Sequence, residues 1–107
     1  MIHYARGIEL FGPAVAVLRA SNIDDAIRLA NDSRYGLAAG IFTRDLAWAM
    51  GFAREVESGN LHINWGPAWP ADLMPFGELK ESGLGREGPK YAIEEMTEMK
   101  TVIIHGV

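Results

Sequence analysis

Three glycines have the spacing of a loop that binds phosphate. Gly83, Gly85 and Gly88 form the pattern G-x-G-x-x-G within the stretch SGLGREG. Such a loop cradles the pyrophosphate of a dinucleotide when it follows a strand directly and opens a helix. Here the preceding residues, PFGELKES, indicate a loop, and no acidic residue for a ribose follows the last predicted strand. We therefore interpret the glycines as a turn where the backbone passes close to another segment.

Other residue types that carry chemistry are scarce or badly spaced. The 107 residues include no cysteine, which excludes disulfides, thiolate metal sites and thiol nucleophiles. His3, His62 and His105 lie far apart and lack metal-ligand spacing, so we predict no metal site. Ser58 and Ser82 lack the context of a nucleophile elbow. The sequence therefore predicts no catalytic residue in this chain.

Composition places the chain among single-domain globular proteins. The net charge is −4, no basic run stands out and 49% of the residues are hydrophobic. Nucleic acid and anionic membranes are therefore poor candidate partners. The first residues, MIHYARGIEL, lack the apolar core of a signal peptide, and no apolar run reaches the ~20 residues of a membrane span. We expect a cytoplasmic protein.

The apolar pattern predicts a βαβαβ unit with a parallel sheet. Short apolar runs predict strands at 14–18, 37–42 and 61–64, with two helices between them. Ser21 is predicted to cap the first helix, with Asp24 three residues on, and Thr43 or Asp45 to cap the second. Gly59 is predicted to end the second helix. The residues predicted to form its buried stripe are Leu46, Ala49, Met50, Ala53 and Val56.

The remaining residues are predicted to hold a long loop, a third helix and a last strand. Residues 65–88 are rich in glycine and proline, which is typical of a functional or mobile loop. Pro89 suits the first turn of a helix with Ala92, Ile93 and Met96 on one face. Residues 101–105 (TVIIH) predict a C-terminal strand. The fold class predicted for the whole chain is thus α/β.

Several segments resemble, in order and spacing, motifs of the NAD(P)-dependent aldehyde dehydrogenase superfamily. The resemblance runs from about residue 9 to the C-terminus. The matching segments read ELFGP from Glu9, AIRLAN from Ala26, YGLAA from Tyr35, FTRD from Phe42, GNLHIN from Gly59 and PFGELKESGLGRE from Pro75. The stretches NWGPAWPADLMPFG and GPKYAIEEMTEMKTV are most similar to the lactaldehyde and phosphonoacetaldehyde dehydrogenase branch.

The resemblance implies a partial domain and an activity that needs residues outside it. Residues 1–107 would form one partial domain, with 9–100 the end of a catalytic domain and 101–107 a strand used in oligomerisation. The family's ancestral role is the NAD(P)-dependent oxidation of an aldehyde to a carboxylic acid. Its catalytic cysteine, its glutamate base and its Rossmann-like cofactor domain lie upstream of the matched part. The resemblance thus implies a C-terminal fragment that is inactive alone.

Five residues take candidate roles from the matching motifs. Glu9 matches the glutamate that binds the nicotinamide ribose hydroxyls, because a carboxylate can accept from two neighbouring hydroxyls. Phe11 matches the aromatic residue beside the nicotinamide. Asn64, Trp65 and Phe76 belong to the loop that lines the aldehyde pocket. NAD or NADP is the cofactor of the intact family, and we expect this chain alone to bind neither tightly.

The sequence leaves alternatives open. Glu78 stands where the family motif has a second glycine, and Pro70 where the similar branch tends to carry a basic residue. Glu9 and Phe11, taken alone, also fit a solvated acid and a core residue. Trp48 lies off the predicted apolar stripe and suggests a contact surface. The chain is therefore also consistent with a small self-associating module, whose partners are its own copies or intact aldehyde dehydrogenase subunits, or with an independent NAD-binding protein.

Overall fold

The computed structural model describes residues 9, 11–69, 73–77 and 79–106. Within these ranges the chain is a mixed α/β structure with a parallel strand pair, which confirms the predicted fold class. Its elements in chain order are α1 (Ile23–Asn31), β1 (Ala38–Ile41), α2 (Leu46–Glu55), β2 (Asn60–Ile63), β3 (Phe76–Gly77), β4 (Arg86–Glu87) and α3 (Pro89–Met96). Pro89 begins the third helix as expected.

The pairing of β1 with β2 forms the centre of the structure. The two strands run parallel, in register from Ala38 opposite Asn60 to Ile41 opposite Ile63. Parallel neighbours need a crossover connection, and α2 supplies it. The strands predicted at 37–42 and 61–64 are thereby confirmed. The loop predicted over 65–88 also contains order that the sequence did not indicate, because β3 and β4 pair antiparallel within it.

Both early helices start at side-chain caps. Asn22, and not Ser21, caps α1, since its side chain accepts from the Asp25 N–H at 2.8 Å. Ser21 instead donates from its own N–H and hydroxyl to the Asp25 carboxylate, so the predicted arrangement is shifted by one residue. Asp45 caps α2 by accepting from the first backbone N–H groups of that helix.

A small core lies between the first two helices and the parallel strands. Its buried centre is Ile27, Phe52 and Val56. The predicted stripe on α2 was therefore wrong in part, because the residues that face inward are Ala49, Phe52 and Val56, three and four positions apart. Three residues that were predicted to be buried are exposed in the structure, namely Leu46, Met50 and Ala53. The helix ends at Glu55, where Val56 turns extended, and not at Gly59.

The two outermost predicted strands do not form in the described residues. Residues 14–18 and 101–105 are in neither helix nor strand, and Val15 and Val17 are each 86% exposed. A strand is stable only when a neighbour takes up its backbone hydrogen bonds, and neither segment has one here. The Cα radius of gyration, 18.9 Å, exceeds the roughly 13 Å of a compact chain of this length. The core therefore occupies only the middle of an elongated chain.

Lys80 joins three segments that are distant in sequence. Its ammonium group donates to the carbonyl oxygens of Asn31 (2.9 Å) and Ser33 (3.1 Å) and pairs with the Glu57 carboxylate at 2.7 Å. The end of α1, the α2–β2 connection and the segment after β3 thus meet at one cation. Lys80 has a φ of 56°, in the left-handed region that costs a non-glycine residue roughly 1–2 kcal/mol. These three contacts offset that strain.

We expect Lys80→Met to lower the free energy of unfolding by about 1–3 kcal/mol, because two carbonyls and a carboxylate lose a charged donor. Urea unfolding followed by tryptophan fluorescence measures the loss. Lys90→Met is the matched control, since the exposed Lys90 ammonium lies 3.9 Å from Glu94. That change should stay within about 0.5 kcal/mol. Equal effects of the two substitutions would contradict the role given to Lys80.

Acid should destabilise α1 through Asp25. The hydrogen bond from the Ser21 backbone, followed by that from the Arg28 guanidinium, lowers the pKa of Asp25 below its usual value of 3.8. A carboxyl whose pKa is lower folded than unfolded stabilises the fold above its unfolded pKa and loses that contribution as pH falls through the folded pKa. Asp25→Asn should therefore flatten the acid limb of stability, measured as urea midpoints against pH. Asp24→Asn is the control, because it removes the same charge one residue earlier. If it reduced the loss of stability in acid more than Asp25→Asn does, the role given to Asp25 would be wrong.

Candidate functional site

The carboxyl ends of β1 and β2 meet at one edge of the parallel pair. Open α/β sheets bind ligands at this edge. Asn64, the first residue after β2, donates its backbone N–H to the Ile41 carbonyl at 2.7 Å, and its side-chain oxygen accepts from the Thr43 N–H at 2.8 Å. Its φ of 60° lies in the left-handed region that asparagine tolerates well. Asn64 is thus fixed in place where the sequence predicted a pocket residue.

An open depression lies at this edge. Its volume is about 450 Å³, and it is lined by Phe42, Thr43, Arg44 and Asn64. Of the five candidate residues, Asn64 alone contributes to this lining. The Phe42 ring, the Arg44 side chain and Asn64 are all exposed, so the depression is a surface hollow and not an enclosed chamber.

The other two pocket residues lie on the segments that follow. Trp65 stands beside Trp69 in an edge-to-face arrangement, with ring centroids 6.4 Å apart and planes inclined at 73°. Both indoles are more than half exposed. Phe76 opens β3 and is half-buried. The described chain thus presents two exposed indoles and one partly covered phenyl ring.

A buried amide touches the backbone on both sides of Phe76. Asn60, the first residue of β2, is 6% exposed. With its amide turned to satisfy both neighbours, it donates to the Pro75 carbonyl at 3.3 Å and accepts from the Gly77 N–H at 3.2 Å. In the opposite orientation its nitrogen lies 3.5 Å from the Gly77 carbonyl. Either way, the side chain links β2 to the strand that carries Phe76.

The two candidate cofactor residues lie apart from these groups. Glu9 and Phe11 precede the first helix, and the Phe11 ring is 95% exposed. Neither forms a hydrogen bond, ion pair or ring contact with another residue in the described part of the chain. Both are exposed, and their assignment to a nicotinamide riboside stays a prediction. Pro70 and Glu78, the two departures from the family motif, lie outside the described residues.

The glycine pattern around Gly85 does not form a pyrophosphate loop. Gly83 follows a turn and not a strand. Gly85 has a φ of 93°, and a Cβ there would lie 3.3 Å from a carboxylate oxygen of Glu95. Gly88 has a φ of 117°, and a Cβ there would lie 3.0 Å from the Met74 carbonyl oxygen. A close carboxylate opposes a phosphate, so these residues do not fit a dinucleotide, and Gly88 shows the predicted close approach to the backbone of another segment.

Sequence reasoning missed Asn60 and Lys80 as residues that shape the site. Asn60 directly precedes the apolar run that predicted the strand, and its buried side chain bonds the backbone of the segment that forms β3. Lys80 falls within the PFGELKESGLGRE motif, whose pattern assigns it no role. A polar residue at the start of a buried strand was the available signal for Asn60. For Lys80 the three acceptors come from distant segments, so no local pattern could indicate them.

Curated proteins similar to this chain are aldehyde dehydrogenases. The lactaldehyde dehydrogenase of Methanococcus vannielii is 51% identical over 100 residues, which are 94% of this chain and 22% of that protein. The 3-sulfolactaldehyde dehydrogenase of Priestia aryabhattai is 54% identical over 97 residues, 91% of this chain and 20% of that protein. The chain therefore spans about one fifth of the length of these relatives. None of its described helices has the length and apolar character needed to cross a membrane.

Solved structures agree with these matches. Aldehyde dehydrogenase 21 from Physcomitrella patens, in complex with the reaction product succinate, superposes with a TM-score of 0.84 at 42% identity, covering 88% of this chain and 20% of that one. The glyceraldehyde-3-phosphate dehydrogenase of Methanocaldococcus jannaschii, complexed with NADP, gives 0.73 at 46% identity, over 80% and 19%. The model of the aldehyde dehydrogenase family matches residues 6–102. This chain belongs to the aldehyde dehydrogenase family.

Proposed function

We propose that this chain forms the nicotinamide-riboside contact and one wall of the aldehyde pocket in an NAD(P)-dependent aldehyde dehydrogenase. The observation that carries the proposal is the family match over 6–102, a range that includes all five candidate residues. The proposed unit is a partial catalytic domain over 9–100 followed by an oligomerisation strand over 101–107. The activity it serves is the oxidation of an aldehyde to a carboxylic acid.

The exposed side chains of Glu9 and Phe11 suit the nicotinamide-riboside end of the cofactor. A carboxylate accepts hydrogen bonds from two adjacent hydroxyls, which is the pattern that a ribose presents. The ring of Phe11 is free on both faces and can pack beside a flat nicotinamide. When bound, NAD(P) accepts the hydride in this family. The two residues would hold and orient the riboside.

This chain alone should bind the cofactor weakly. The pyrophosphate finds no suitable loop around Gly85, where the Glu95 carboxylate stands. Contacts to one riboside do not offset the loss of translational and rotational freedom of a whole dinucleotide, which costs several kcal/mol or more. The sequence also lacks the cysteine thiol needed to form a covalent intermediate with an aldehyde. The other contacts and the thiol must therefore come from other residues of a complete enzyme.

A second candidate function, a self-associating module, is supported by the C-terminal segment. Val102, Ile103 and Ile104 are 70–72% exposed and lie in no strand. Within the described residues no strand pairs with these three consecutive apolar residues, and an unpaired apolar segment is a template for another chain. The partner in this case is a second copy or an intact aldehyde dehydrogenase subunit.

We expect the purified chain to reduce neither NAD nor NADP in the presence of lactaldehyde. Activity should appear when it is mixed with the Methanococcus vannielii lactaldehyde dehydrogenase from which the segment matching this chain has been deleted. The measurement is the absorbance of reduced cofactor. In that mixture Glu9→Gln should raise the KM for the cofactor roughly tenfold, because the ribose loses a charged acceptor.

The matched control is Glu98→Gln, which removes an exposed carboxylate after α3 and should leave the KM unchanged. Turnover by the chain alone, after removal of contaminating enzymes, would contradict its proposed dependence on other residues. A mixture that stays inactive while each component is folded would contradict the proposed function itself.

We also expect the chain to form a dimer or a larger assembly. Ile103→Lys should shift the equilibrium toward monomer, because a charge in the apolar segment opposes pairing. Size exclusion coupled to light scattering measures the mass. Ile93→Lys, on the exposed side of α3, is the matched control and should leave the mass unchanged. A monomer mass for the wild-type chain at high concentration would refute self-association.

A further inference from the structure

Asn60 holds an unusual position for a polar side chain. It begins β2, pairs in register with Ala38 and is 6% exposed. Burying an amide costs free energy unless its donor and its acceptor are both satisfied. The only groups that satisfy this amide in the described residues come from the backbone of 75–77. The cost of its burial is therefore offset by one segment alone.

Within 75–77 itself the other support is a short strand pair, and the next anchors along the chain are at Leu79 and Lys80. β3 has two residues, and its partner β4 consists of Arg86 and Glu87, both exposed. A two-residue antiparallel ladder is weak support by itself. Asn60, in contrast, lies in the parallel ladder beside the core. Its hydrogen bonds to Pro75 and Gly77 thus connect a short strand pair to the parallel strands beside the core.

The two contacts bracket a single side chain. Pro75 and Gly77 flank Phe76, and Asn60 bonds the carbonyl of the first and the N–H of the second. Fixing the backbone on both sides of a residue fixes the direction of its Cα–Cβ bond. We propose that Asn60 is a positioning residue that sets where the Phe76 ring stands in the aldehyde pocket, and thereby which aldehydes the pocket accepts. The part of this inference that concerns aldehydes rests on the proposed function.

An amide is the group that this bracket requires. One end must donate to a carbonyl and the other must accept from an N–H, which asparagine does at a fixed separation. Aspartate keeps the acceptor for the Gly77 N–H and loses the donor for the Pro75 carbonyl. Alanine loses both. The two substitutions therefore separate the contacts.

Asn31 provides a matched control within the same chain. Its side-chain nitrogen donates to the Glu55 carbonyl at 2.7 Å, and its oxygen accepts from the Glu57 N–H at 2.8 Å. It too brackets one residue between a backbone carbonyl and a backbone N–H, but at the end of α2, away from Phe76. Asn31→Ala removes the same number and kind of hydrogen bonds as Asn60→Ala.

The first arm of the test uses this chain alone. Amide hydrogen exchange, read by NMR, should accelerate at Gly77 by about tenfold or more in Asn60→Ala, because the N–H loses its acceptor. Asn60→Asp should leave the Gly77 rate near that of the wild type, and Asn31→Ala should accelerate exchange at Glu57 and not at Gly77. An unchanged exchange rate at Gly77 in Asn60→Ala would show that Asn60 does not hold this N–H, whatever the activity of the chain in an enzyme.

The second arm uses the active mixture with the deleted lactaldehyde dehydrogenase. The ratio of kcat/KM for lactaldehyde to that for benzaldehyde should shift roughly tenfold in Asn60→Ala and in the same direction in Asn60→Asp. Asn31→Ala should leave the ratio at its wild-type value. A ratio unchanged in both Asn60 variants would overturn the positioning role. If Asn60→Ala does not fold, the kcat/KM ratio of Asn60→Asp decides the test. If the wild-type mixture shows no activity, that result counts against the proposed function alone.

Discussion

Gly36 is the buried point at which three segments meet, just before the two parallel strands begin. Its carbonyl accepts from the N–H groups of Gly59 (2.9 Å) and Leu79 (3.3 Å), and its own N–H donates to the Ser82 hydroxyl at 2.8 Å. The connection into β2 and the segment after β3 are thereby held to the residues just before β1. Lys80 also holds the segment after β3, through its contacts with Asn31 and Glu57. Because Leu79 follows Phe76 closely in the chain, this junction also limits where the segment that carries Phe76 can run.

A fold of this kind leaves apolar surface that its own residues cannot cover. A two-stranded parallel sheet with a small core is marginal by itself. Large apolar side chains stay largely exposed both before α1, at Phe11, Val15 and Val17, and after α3, at Ile103. In a complete α/β domain, such segments become strands when a neighbour accepts their hydrogen bonds. The same exposed segments support both the proposed partial-domain role and the proposed self-association.

Amides that bridge backbone groups recur at the joints of the structure. Asn31 ties α1 to the end of α2, Asn60 ties β2 to β3, and Asn64 ties the ends of β1 and β2 together. Asparagine suits positions 31 and 60 because one short side chain offers a donor and an acceptor, whereas the Asn64 side chain acts as an acceptor for the Thr43 N–H. Each bridge satisfies polar backbone groups that a loop would otherwise leave unpaired. The candidate site is thus built on hydrogen-bonded joints more than on apolar packing.

The sequence by itself determined the elements whose signals are local. Apolar runs and caps gave β1, α2 and β2, Pro89 gave the start of α3, and the residues before Gly83 argued against a phosphate loop. The ordered motifs also indicated the family to which the chain belongs. What the tertiary structure decided involves partners far along the chain. Among the described residues the apolar run at 14–18 has no strand to pair with, and the buried face of α2 includes Phe52, where α1 and the sheet meet it. Asn60 and Lys80 gain their roles from hydrogen-bond partners many residues away. Hydrogen bonds and burial between distant segments depend on how the elements pack, and a local pattern does not encode that packing.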